Sequence, residues 1–312
     1  MTAATPVLHP LSAGELLDHA IYLYRKNFVT ALGIVALTNL PVLVLQLGQS
    51  LVMPAATVRL APAGAGFTSS YLIYSLLTIL VAAVSVVATG LHAAALAVLV
   101  GESYAGRSTT IALVYRRVLA RGLSVLGAQL IFALGTVVLY GSLILVGAVS
   151  LLHNSDSRTG TTLVGLVTLL ICCIILPLIL PFYLLLYTRW FLSVQCIILE
   201  NRGALSGLKR SWSLVGGHFW RVLSIWFALV LFVSLPEIGL VLLARYLAGL
   251  VLPSTVALIA SQVAGGIMVL FISPIVSLVT ALLYYDLRIR KEGYDLEVRA
   301  EALQLTNITS SA

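Results

Sequence analysis

The sequence predicts an all-α membrane protein: a polytopic bundle of about six transmembrane helices, with short helices lying at one membrane surface between them. Three observations carry this. Of the 312 residues, 60% are hydrophobic and 9% are charged, whereas a soluble domain carries roughly a quarter charged residues. The few charges are spaced so that uncharged stretches run from Lys26 to Arg59, Arg59 to Glu102, Arg121 to Asp156, Arg158 to Arg189 and Arg245 to Asp286. Each exceeds the roughly 20 residues a helix needs to cross a bilayer. Finally, the basic residues fall almost entirely on alternate connections, as topology demands of a membrane protein.

Taken in order, the first element is a short helix. Ser12-Ala13-Gly14-Glu15 has capping-box spacing, in which Ser12 accepts from the backbone at Glu15 and Glu15 reaches back. Behind it, Leu16, Leu17, Ala20, Ile21, Leu23 and Tyr24 form one broad apolar face, while Asp18, His19, Arg25 and Lys26 lie mainly elsewhere. This segment is too short and too charged to span and reads as an interfacial helix. Crossings follow at 28–47, 71–96, 123–146, 163–186, 222–243 and 255–284. The fifth is interrupted by one acid, Glu237. Pro274 marks the expected break in the sixth, and Pro177 and Pro181 distort the fourth, because proline removes a backbone donor.

Amphipathic segments comparable to the first precede the third and fifth crossings, at 108–121 with Arg116 and Arg117 and at 204–215 with Lys209, Arg210 and Trp212. Each enters its apolar run through a polar or glycine-containing elbow, which fits three copies of an interfacial helix followed by a membrane hairpin. The domain organisation is then an N-terminal interfacial helix at 1–27, a six-span domain at 28–285 and a C-terminal tail at 286–312.

Six crossings place both termini on one side. All but three of the 18 Lys and Arg residues fall on that side, and the exceptions are Arg59, Arg158 and Arg245. The positive-inside tendency therefore puts both termini in the cytoplasm. The net charge of +7 has its cause in this distribution, and nucleic acid is not an expected partner. Residues 1–10 lack the basic start, apolar core and cleavage site of a signal peptide, so the first crossing is expected to stay as an anchor. Cys172, Cys173 and Cys196 sit in apolar surroundings without paired metal-ligand spacing and read as packing residues.

Three segments resemble a bacterial family, the glycerophosphoryl diester phosphodiesterase membrane-domain family. They are Leu11-Ser12-Ala13-Gly14-Glu15-Leu16-Leu17-Asp18 with Tyr24-Arg25-Lys26-Asn27-Phe28; Leu199-Glu200-Asn201-Arg202-Gly203-Ala204 with Lys209-Arg210-Ser211-Trp212-Ser213-Leu214-Val215; and the stretch from Tyr284 and Tyr285 through Asp286, Arg288, Arg290, Lys291 and Glu292 to Asp295. The resemblance implies a helical multi-pass module in a bacterial inner membrane. The activity in the family name belongs to a separate soluble domain. After Tyr285 only 27 residues remain, whereas a (β/α)₈ barrel needs about 250. The chain is accordingly not expected to be an enzyme, and no catalytic residue is carried over.

Among the residues themselves, the phosphate-loop, zincin and nucleophile-elbow motifs do not occur, and no cofactor is implied. His92 and Glu237 are the two ionisable groups inside crossings, where such groups face cavities, paths or partners. Asn39, Gln129 and Gln262 either line a polar path or bond neighbouring helices. Arg116, Arg117, Lys209 and Arg210 sit on interfacial segments beside apolar anchors and are candidate contacts for anionic lipid headgroups. The residues from Arg288 to Glu301 mix both signs of charge, as solvated helix faces do. The expected function is a noncatalytic membrane module that organises lipid, another membrane protein or a second copy of itself. A transporter or permease for a small or lipid-like solute is the alternative, because broken helices build midplane sites.

Overall fold

The computed structural model describes residues 10–52, 69–107, 109–134 and 176–293; Arg59, Arg158, Cys172, Cys173 and residues 135–146 and 163–175 of the expected third and fourth crossings lie outside them. Among the described residues every regular element is a helix. In order they are α1 (Ala13–Lys26), α2 (Phe28–Val52), α3 (Ser69–Tyr104), α4 (Ile111–Ala120), α5 (Gly122–Leu134), α6 (Leu176–Trp190), α7 (Ser193–Leu199), α8 (Ala204–Val215), α9 (Phe219–Val251) and α10 (Ser254–Glu292). Helices α2, α3, α9 and α10 and the stretch Leu180–Leu199 are long and apolar enough to cross a membrane. The bent pair α4 and α5 makes a sixth when taken as one span, with 70° between its halves.

The outer surface agrees with a hydrocarbon solvent. In its most apolar 18-residue window α9 buries only 6% of its residues, and Phe227, Phe232, Leu235, Ile238, Leu242 and Leu247 point away from the protein. In water this stripe would be a large unprotected apolar patch; in a bilayer it is the favourable surface.

The short helices form as the local sequence dictates. The Ser12 hydroxyl accepts from the Glu15 N–H at 3.3 Å while Glu15 Oε2 accepts from the Ser12 N–H at 2.7 Å, completing the capping box. Helices α1, α4 and α8 bury their apolar faces through Leu16, Ala20 and Leu23, through Val114 and Val118, and through Leu208, Leu214 and Val215. Each then leads into a spanning helix through an elbow. The residues immediately before α2, α5 and α9 share one backbone conformation: Asn27 at φ −117°, ψ 31°, Arg121 at −114°, 10° and His218 at −122°, 25°. The joints otherwise differ: Asn27 and Arg121 alone connect their helices, whereas α8 is capped by Gly216, at φ −57° and ψ 125°, and reaches His218 through Gly217 at φ 88°.

Close helix approach rests on small residues, as membrane packing requires. A Cβ at Gly90 would stand 2.7 Å from the Gln129 side chain, one at Gly33 2.8 Å from Ile111, and one at Gly266 2.6 Å from Leu43. Gln129 therefore lies against α3 in a space that glycine leaves for it. The structure departs from the sequence expectation at the prolines. Pro41, Pro181, Pro236 and Pro274 all lie inside continuous helices. A proline withholds one donor, and a helix held by lateral packing can carry that loss without ending. The real break lies between α6 and α7, where Ser211 of α8 accepts from the Leu192 N–H at 3.2 Å and donates to the Arg189 carbonyl at 2.8 Å. A second departure is that α10 continues past Tyr285 to Glu292, so the first residues assigned to the tail belong to the bundle.

Candidate functional site

Two features of the bundle concentrate polar chemistry: a layer of ion pairs at the end where the elbows lie, and cavities beneath it. The ion-pair layer is assembled from the three segments singled out in the sequence. The Asp286 carboxylate, on α10 and with no exposed side-chain surface, accepts from the Leu11 N–H at 2.8 Å. It also accepts from Arg221 Nη2 at 2.9 Å and Arg290 Nε at 3.0 Å. Both guanidiniums close the network on the Leu11 carbonyl, at 2.5 Å and 2.9 Å. A second knot centres on Glu200, just beyond α7. It accepts from Arg202 at 2.6 Å, from Arg210 Nε at 2.8 Å and from the Tyr284 hydroxyl at 2.9 Å. Arg210 continues to Glu292 at 2.7 Å. Burial pushes the Glu200 carboxyl up, but the hydrogen bonds from Arg210, Tyr284 and Arg202 outweigh it and hold the group below the usual carboxylate range. Glu102, at the end of α3, pairs with Arg107 at 3.0 Å and with Arg117. Lys291 donates to the Ser213 and Gly216 carbonyls at the end of α8, where a cation also meets the negative end of the helix dipole.

This assigns the predicted basic contacts to two groups. Arg117 and Arg210 are held by carboxylates, because folding brings Glu102, Glu200 and Glu292 to them. Arg116 and Lys209 are exposed. The charged segment at the end of α10 is likewise tied into the bundle: of its residues, Asp286, Arg288, Arg290, Lys291 and Glu292 all bond within the protein.

Beneath the layer is a cavity of about 610 Å³. Its wall is drawn from α2, α3, α5, α6, α7, α9 and α10. Phe132, Tyr187, Trp226 and Leu229 give it an aromatic and aliphatic lining, into which His92, Gln195, Ser193 and Ser273 bring polar atoms. His92, Gln195 and Ser193 are 5%, 2% and 1% exposed, so they cannot be solvated from outside the protein. Ser193 Oγ, Gln195 Oε1 and Ser273 Oγ have no hydrogen-bond partner among the described residues, which is costly for buried polar atoms. From His92 to Glu102 is 10 residues, or about 15 Å of helix, half of a hydrocarbon core about 30 Å thick.

Glu237 is not in this cavity. It lines a smaller one, of about 130 Å³, with Asn39, Gln46 and Gln262. The two share Asn39 and Val269 as wall residues. Of the polar residues read from the sequence, His92 and Gln129 line the larger cavity, Glu237 and Gln262 the smaller, and Asn39 both. The sequence reading missed Gln195, Ser193 and Ser273. Gln195 carries a visible signal, a carboxamide inside an apolar run; the serines carry none. Among the described residues no group of three His, Cys, Asp or Glu side chains is placed to hold a metal ion.

Fold and cavities together define a multi-pass helical membrane protein with a largely apolar cavity between its helices, into which a few buried polar atoms point. Compared with protein-family models, with curated proteins and with solved structures, the chain matches none.

Proposed function

We propose that the chain is a noncatalytic membrane module that binds one lipid-like amphiphile in the cavity between its helices. The observation that carries this is the cavity itself. Its volume of about 610 Å³ lies in the range of small-molecule sites, roughly 300–1,000 Å³, and its apolar wall with a few convergent polar groups has their composition. Phe132, Trp226 and Leu229 suit a hydrocarbon body; Gln195, Ser193 and Ser273 offer hydrogen bonds to a polar group. Ser234→Phe would fill the cavity from α9. The wild type purified in mild detergent is expected to retain about one extractable amphiphile per chain by mass spectrometry, and Ser234→Phe to reduce it about tenfold, the equivalent of 1.4 kcal/mol. Equal retention by a Ser234→Phe protein with an unchanged thermal midpoint would refute the proposal.

Transport is the second reading, favoured by the wall that the two cavities share. Flux of a solute across vesicles, lost on Ser234→Phe, is its signature.

The resemblance to the membrane-domain family belongs to the same proposal, as does residence in a bacterial inner membrane with both termini in the cytoplasm. Contact with anionic lipid headgroups then falls to Arg116 and Lys209 rather than to Arg117 and Arg210, whose guanidiniums pair with Glu102, Glu200 and Glu292. In a protein lacking Cys172, Cys173 and Cys196, a cysteine at position 245 is expected to react with an impermeant reagent added to intact cells. Cysteines at positions 116 and 209 should react only after permeabilisation, and the opposite pattern would reverse the orientation.

A further inference from the structure

Glu237 places a carboxylate within a spanning helix, half-buried, and the smaller cavity gathers three carboxamides around it. Asn39 and Gln46 come from α2, Glu237 from α9 and Gln262 from α10 at the rim. The remaining wall is aliphatic: Leu40, Val42, Leu43, Val241, Val269 and Leu270. Among the described residues no basic side chain lines it. The nearest basic residue along α9, Arg245, is eight residues away, or about 12 Å along the axis. An ionised carboxylate in hydrocarbon surroundings requires a compensating positive charge. From Arg221 to Glu237 is 16 residues, about 24 Å of helix, which sets the group near the membrane boundary opposite the elbows. A ligand can reach it from that surface.

We propose that the Glu237 cavity binds the protonated primary amine of a small alkylammonium group. Such a group carries one positive charge and three N–H donors. The carboxylate supplies the counter-charge, and the carboxamide oxygens of Asn39, Gln46 and Gln262 supply further acceptors. About 130 Å³ accommodates an ammonium with a short carbon chain, and the aliphatic wall suits that chain. Gly265 and Gly266 ease the approach: a Cβ at the first would stand 3.1 Å from Val241 and one at the second 2.6 Å from Leu43, so a larger residue at either would make those side chains shift. The site adjoins the amphiphile cavity through Asn39 and Val269, but the proposal does not rest on that assignment.

The ammonium belongs either to a free amine or to an aminolipid headgroup, and two arms separate them. In the first, the full-length protein in phosphatidylcholine nanodiscs is titrated with ethylammonium, sodium or tetramethylammonium chloride at constant ionic strength. In the second, it is placed in mixed phosphatidylethanolamine and phosphatidylcholine nanodiscs and its retained lipids are read by native mass spectrometry. A rise in thermal midpoint with ethylammonium alone assigns a free amine; preferential retention of phosphatidylethanolamine without such a rise assigns a headgroup. Either response is expected to weaken about tenfold or more in Glu237→Gln, since the neutral amide supplies no counter-charge and hydrogen bonds to a charged group are the stronger ones. Gln262→Ala, which keeps the carboxylate, is expected to weaken it a few-fold and guards against a folding defect in the first variant. No response in either arm, an equal response to sodium, or an undiminished response in a folded Glu237→Gln protein would overturn the proposal.

Discussion

Asp286→Ala is expected to destabilise the protein by about 3–5 kcal/mol, the cost of removing one partner from a buried ion pair. The side chain has no exposed surface, and its loss leaves the Leu11 N–H without its acceptor and takes the carboxylate from the Arg221 and Arg290 guanidiniums, which among the described residues keep only the Leu11 carbonyl. Because the same carboxylate ties the lead-in of α1 to α10, the loss should also be visible locally. Limited proteolysis is expected to release the α1 segment from Asp286→Ala well before the rest of the chain unfolds. Asp286→Asn keeps an acceptor and should fall between the two. A thermal midpoint in Asp286→Ala within a degree of wild type, with α1 still protected, would show that the network does not hold the helix ends.

The second large effect is expected at Glu200, whose replacement by alanine should cost about 2–3 kcal/mol at neutral pH. Three donors lose their acceptor at once, and hydrogen bonds to charged groups are worth roughly 1.5–3 kcal/mol. The loss stays below that at Asp286 because Arg210 keeps Glu292 and Arg202 is 43% exposed. Tyr284→Phe removes one donor only and should cost about 0.5–1.5 kcal/mol. The pH dependence has a definite sign. The Glu200 carboxyl is held below its ordinary value of 4.5 in the folded protein, so its stabilisation is fully present above 4.5 and disappears as acidification protonates the folded form. The stability difference between wild type and Glu200→Ala should therefore be constant near neutrality and shrink on titration below 4.5. A difference that grew on acidification would mean that the carboxylate is not held by its cationic neighbours.

The sequence alone determined the class of this protein and much of its local structure. Charge-free stretches of spanning length record the thickness of the solvent the helices occupy, and the capping box at Ser12 and Glu15 joins groups three residues apart. The bounds of α8 follow from its apolar periodicity and from Gly203 and Gly216, which flank it. Helical periodicity fixes relations between residues up to about four positions apart, and hydropathy fixes which segments enter a bilayer. Neither fixes which helix meets which. Leu11 and Asp286 are 275 residues apart, and only the packing of α1 against α10 makes a hydrogen-bonded pair of them. The same holds for Arg117 and Arg210, which look like free surface cations in sequence but find Glu102, Glu200 and Glu292 once the elbows converge. It holds for Glu237 as well. Its presence in a spanning helix was legible, but the amides around it come from α2 and α10, and only the packing of α2 and α9 on α10 brings them to it.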